Sequence, residues 1–155
     1  MRILAALAFS LTASLAQAQT MEPREGWTVI ATQKPYQQLI DDVKSATKAN
    51  KMGVVTEAGP TQAAAKRGVT IPGNRVIGVF NNAFAVDILA LSTAAMIEAP
   101  LRFYVTESAG GQATLAWKHP TAVFAPYLDE GGEALRDLAA ELDDRFAAIA
   151  DMAVN

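Results

Sequence analysis

Two alternating runs on either side of a glycine turn constrain this chain more than any other feature. In Leu101–Glu107, the apolar Leu101, Phe103 and Val105 alternate with Arg102, Tyr104 and Thr106. After Ser108-Ala109-Gly110-Gly111, the residues Ala113, Leu115 and Trp117 repeat the pattern. A period of two sends successive side chains to opposite faces of a strand. A short loop ending in two glycines joins such runs into an antiparallel hairpin. The fold is therefore organised around a sheet.

The rest of the chain supplies further strands and the helices to cover them. Trp27–Thr32 and Met52–Ala58 read as short strands, and Arg75–Phe80 as a strand apolar on both faces. Tyr36, Leu39, Ile40, Val43 and Ala46 recur at helical spacing behind Pro35, with Asp41, Asp42, Lys44 and Lys48 opposite. That helix ends near Asn50. Thr61 to Lys66 is a short helix, closed by Gly68 and Pro72-Gly73. Ala83–Glu98 is alanine-rich and helical in one or two pieces, and Pro100 closes it. A short apolar helix follows His119-Pro120 to about Tyr127. After a break at Gly131-Gly132, a last helix runs from Glu133 to Ala153. Leu135, Leu138, Leu142, Phe146 and Ile149 form its apolar stripe.

Strands mixed with helices, plus one hairpin, predict an α/β (α+β) two-layer sandwich. It has a mixed sheet of about five strands with helices mainly on one face. The alternation predicts Val29, Leu101, Phe103, Val105, Leu115 and Trp117 beneath the helices. It predicts Thr28, Ile30, Arg102, Tyr104, Thr106, Thr114 and Ala116 on the open face.

The N-terminus carries an address. Arg2 precedes an apolar run from Ile3 to Leu15, and Ala16-Gln17-Ala18 is an A-x-A cleavage string. About 13 residues at 1.5 Å each reach roughly 20 Å, short of a hydrocarbon core of about 30 Å. The expectation is a signal peptide over residues 1–18, cut after Ala18, then a flexible leader at 19–25 and one globular domain at 26–155. The protein is then periplasmic, and no later segment inserts in a membrane. Losing Arg2 moves the net charge from −3 to −4, which argues against nucleic acid as a partner.

Composition removes several chemistries. With no cysteine there are no disulfides, no thiol nucleophile and no iron–sulfur cluster. With one histidine, no site can use two. No G-x-S-x-G, glycine-rich phosphate loop or H-E-x-x-H is present. No cofactor is expected, and no tightly bound metal.

Four local strings occur in an informative order: Gly26-Trp27-Thr28-Val29, Phe80-Asn81-Asn82, Ala99-Pro100-Leu101-Arg102 and Trp117-Lys118-His119-Pro120. Together they resemble the bacterial and archaeal family catalogued as domain of unknown function 302. The resemblance runs from Gly26 to Tyr127. It departs at Asn82, where the family usually has proline, and at His119, where an acidic residue is common. It implies a two-layer α/β domain that tends to dimerise through its sheet, and it implies no reaction.

The candidate binding residues are Asn81, Asn82, Asp87, Arg102, Tyr104 and His119. Asn81 and Asn82 stand at a strand's end, able to line a ligand crevice or to cap the next helix. Asp87 interrupts an apolar helix, where burial would raise its pKa. Arg102 and Glu98 flank Pro100; they form a structural ion pair, or Arg102 uses its planar fork to recognise an acidic ligand. His119 could act as a general base. Glu57 and Glu107 could form a carboxylate pair, though nothing in the spacing brings them together. The open face mixes apolar centres with Tyr104 and Arg102, a composition favoured at interfaces.

These features favour an exported, homodimeric module that binds a partner or a small anionic ligand, without catalysis. Two alternatives stand beside this reading. One is a small hydrolase or isomerase built on carboxylates and His119. The other is an envelope metal or redox accessory using His119, Met52 or Met96, and acidic residues.

Overall fold

A computed structural model describes residues 21–155. The expected signal peptide, its cleavage site after Ala18 and the first leader residues lie outside the described residues. In chain order the elements are β1 (Trp27–Pro35), α1 (Tyr36–Ala49), β2 (Gly53–Ala58), α2 (Thr61–Ala65), β3 (Asn74–Phe80) and α3 (Asn82–Leu91). A 3-10 turn (Ala94–Glu98) leads into β4 (Leu101–Glu107), β5 (Gln112–Lys118), α4 (Pro120–Phe124) and α5 (Leu128–Val154). A second 3-10 turn, Ala125–Tyr127, joins the last two helices.

The five strands form one sheet in the order β1-β5-β4-β3-β2. All four pairings are antiparallel, so the sheet is not mixed. A mixed sheet is the expectation from strands interspersed with helices beside one hairpin. β1 and β2 do run the same way, but they occupy opposite edges, with three strands between them. The result is an α+β sandwich.

The alternation of β4 and β5 sets the faces as expected. Phe103 lies opposite Trp117, and Val105 opposite Leu115. Ile77 of β3 joins them beside Phe103. Ile77, Phe103, Val105 and Leu115 are fully buried beneath α1 and α5. The Phe103 ring stacks on Phe146 of α5 at 4.6 Å and meets Trp117 edge-on at 5.6 Å. Such aromatic pairs add to the stabilisation from apolar area. Leu39, Ile40 and Val43 bring α1 into the same core, and Leu135, Leu142 and Ile149 bring α5.

In β1 the two faces are exchanged relative to the sequence reading. Ile30 pairs with Leu115 and Thr28 with Trp117, so both face the helices. Val29 pairs with Ala116 and stands on the open side. The cause is the adjacent pair Val29-Ile30: with two apolar residues in a row, the phase of the alternation cannot be read from β1 alone.

The turn signals also have physical counterparts. Gly132 adopts φ 59°, ψ −149°, which bends α5 where the glycine pair interrupts the helical pattern. Lys34 Nζ donates to Asp42 at 2.8 Å and to the Ala153 carbonyl at 2.7 Å. This places a cation at the negative end of α5 and ties that helix to β1. No helix among the described residues is long and apolar enough to cross a membrane.

Candidate functional site on the open sheet face

Register assigns the open face to lateral rows of side chains. The middle row runs Val29, Ala116, Tyr104, Val76, Ala58 across all five strands. On one side lies Ala31, Thr114, Thr106, Asn74. On the other side Trp27 pairs with Lys118, and Arg102 pairs with Gly78, which in turn pairs with Thr56. Continuing the β4–β5 register by one residue beyond Phe103 and Trp117 sets Arg102 opposite Lys118. An apolar row therefore lies between a hydroxyl-and-amide row and a cationic row.

The cationic row is unusual in its electrostatics. Like charges directly opposite each other on a sheet repel. Neither Arg102 nor Lys118 forms an ion pair among the described residues. Arg102 Nε donates to the Pro100 carbonyl at 3.2 Å. Lys118 lies over the Trp27 ring at 5.4 Å, with Arg24 also over that ring at 5.2 Å. These are cation–π contacts, and they hold cations near the row without neutralising them.

A groove of about 390 Å³ opens along this part of the face. Trp27, Val76, Leu101, Tyr104 and Val123 give it apolar walls; Asn74, Glu98, Arg102 and Lys118 supply its polar groups. Tyr104 is fixed by a hydrogen bond from Asn74 Nδ2 to its hydroxyl. Glu98 Oε1 accepts from the Tyr127 hydroxyl at 2.8 Å, and that carboxylate raises the Tyr127 pKa above its ordinary value.

Of the six candidate residues, Arg102 and Tyr104 come together here. The other four lie elsewhere. Asn81 caps α3: its Oδ1 accepts from the Ala83 amide at 2.9 Å and the Phe84 amide at 3.3 Å. Its Nδ2 donates to the Lys51 carbonyl at 2.9 Å, so its side-chain groups are engaged in structure. Asn82 is the exposed first residue of α3, and Asp87 is exposed on the same helix. His119 precedes α4, and its Nε2 lies 2.8 Å from Thr28 Oγ1. The groove thus holds Arg102 but neither Asp87 nor His119. Met52 and Met96 meet at a small apolar cavity of about 30 Å³, with no histidine in its lining. Among the described residues no group of three or more His, Asp or Glu could hold a metal ion.

The two strand-end carboxylates serve separate interactions. Glu57 pairs with Lys44 at 2.7 Å and Arg75 at 3.0 Å. The hydrogen bond from Lys44 comes first among the causes that hold the Glu57 pKa below its usual range. Glu107 Oε2 accepts from the Gly73 amide at 2.7 Å. Tyr36 lies beside Arg75 and Glu107; burial raises its pKa despite the nearby guanidinium.

The sequence reading did not single out Trp27 or Lys118 as part of a site, and its Glu98–Arg102 ion pair does not form among the described residues: Glu98 accepts from Tyr127 and Arg102 donates to the Pro100 carbonyl. The signal for Lys118 was present: one more step of the β5 alternation past Ala116 puts it on the face of Arg102. Glu98 arrives through the chain's path into β4, which no periodicity encodes.

These features can be compared with known proteins. The family described as domain of unknown function DUF302 matches residues 27–153. The chain belongs to that family. Its fold is similar to the crystal structure of uncharacterized conserved protein DUF302 from Bacillus stearothermophilus, with a TM-score of 0.74 at 17% identity. The similarity covers 85% of this chain and 100% of that one. No curated protein matches.

Proposed function

We propose that this protein is an exported binding module whose working surface is the open sheet face, where it pairs with a second copy and holds a small anionic ligand. The observation that carries this reading is the row order on that face. A two-fold axis lying along the middle row, between two facing sheets, would stack apolar side chains on their equivalents. It would also set the cationic row of one copy against the hydroxyl-and-amide row of the other. The surface is thus self-complementary, as a two-fold interface requires. Tyr104 stands at its centre, where an aromatic anchor contributes most. A standard interface would bury about 800 Å² per copy.

Export to the periplasm is part of the same proposal, resting on the A-x-A string after a short apolar run. N-terminal sequencing of exported protein should begin at Gln19; a membrane-bound product retaining Met1 would refute it. For the pairing, light scattering after size exclusion at micromolar concentration should give twice the chain mass. Tyr104→Lys should give a monomer that stays folded. A monomeric wild type would refute pairing, and a dimer surviving Tyr104→Lys would refute this surface.

A further inference from the structure

We propose that the ligand of the open face is a small monocarboxylic acid with an apolar body, its head seated between Arg102 and Lys118. The inference rests on the open face being the working surface; where two copies pair, the seat falls between the cationic row of one and the hydroxyl-and-amide row of the other.

Charge sets the head group. The groove holds two cations, Arg102 and Lys118, and one carboxylate, Glu98. Among the groups that line it the balance is one positive charge, which a monoanion neutralises; Arg24, over the outer wall at Trp27, is not part of the lining. A dianion would leave excess negative charge facing Glu98. Register sets the two cations at facing positions on β4 and β5, so one anion can draw on both. Arg102 offers a planar fork suited to a carboxylate, and Lys118 a point charge.

The walls set the body. Val76, Leu101, Tyr104, Trp27 and Val123 are apolar or aromatic, and they lie beside the cationic pair. A bare inorganic anion would use the cations and leave these walls wet. An apolar body beside them removes their area from water, which is favourable in proportion to that area. The groove's 390 Å³ falls within the range of about 300–1,000 Å³ found for small-molecule sites.

The test is calorimetric titration of the purified protein with octanoate, 1-octanol, acetate and inorganic phosphate. Octanoate should bind, and each of the other three should bind weaker by about tenfold or more. Arg102→Gln and Lys118→Gln should each weaken octanoate by about tenfold or more while leaving the unfolding midpoint in place. Both side chains are exposed, so loss of fold would not explain the result. Equal binding of octanol, or octanoate binding unchanged in both variants, would overturn the anion seat. Acetate or phosphate binding as well as octanoate would overturn the apolar body and leave a general anion site. No binding of any probe, by protein that still pairs through Tyr104, would overturn the ligand while sparing the pairing.

Discussion

The two faces of the sheet are made from the same strands but are completed differently. On the covered face, Ile77, Phe103, Val105 and Leu115 are fully buried by helices of the same chain. On the open face, Val29, Val76 and Tyr104 stay half-buried and Ala58 is exposed, with only Ala116 of that row buried. The covered face also excludes charge from its centre, whereas the open face sets two cations at facing register positions of β4 and β5. Burial within the chain explains the first face completely. It leaves the second with apolar area and unneutralised charge, the two properties that an outside ligand or second copy would satisfy.

If the covered face carries stability, changes there should cost most. Phe146→Ala removes the ring stacked on Phe103 and leaves a cavity between α5 and the sheet. The expected loss is about 3–5 kcal/mol by denaturant unfolding. An unchanged midpoint would mean that α5 does not complete the core. Tyr104→Lys, by contrast, should move assembly far more than stability.

A smaller effect should come from the seam between β2 and β3. Gly78 sits on the open face, where an added Cβ would press into Thr56 Oγ1 and come within 2.9 Å of Pro100 Cγ. Gly78→Ala should therefore cost about 1–3 kcal/mol through overpacking. Hydrogen exchange should show the loss at the β2 edge first. Full retention of stability would show that Thr56 can turn away freely.

The smallest expected effect concerns pH. Glu57 titrates below its ordinary value of 4.5, chiefly because Lys44 donates to it. A depressed carboxylate adds stability above that ordinary value, and the gain is lost as pH falls through the folded pKa. Partly exposed pairs of this kind contribute about 0.2–1 kcal/mol. Glu57→Gln should flatten the acid limb of the stability curve below about pH 4.5 and lower the neutral plateau slightly. An acid limb identical to wild type would assign the pH response to other carboxylates.

How far the sequence anticipated this comparison depends on how strong each local pattern is. β4 and β5 alternate without a fault, so both their faces were legible, including Arg102 and Tyr104 on the open side. The stripe of α5 and its break at the glycine pair were equally clear. β1 was not, because Val29 and Ile30 are both apolar and either phase fits. Strand order was not legible either, since no local signal distinguishes a neighbour from a strand at the far edge. The cationic pair fell between these cases. Arg102 was evident, but its meaning depends on Lys118, which the register brings opposite it. Asn81 shows the converse: its residue type suited a ligand or a cap, and the backbone amides of α3 occupy it.

The chain has two tryptophans, one on each face, and they allow the central claim to be measured directly. Trp27 lies at the groove, and Trp117 lies in the core at 5% exposure. Acrylamide quenching should be followed across a dilution series in wild type and in Trp27→Phe, alongside the mass by light scattering. Wild-type quenching should rise as the mass halves, while the Trp27→Phe protein, reporting Trp117 alone, stays shielded throughout. A mass that halves with no change at Trp27 would contradict that claim, because the second copy would then be leaving some other surface.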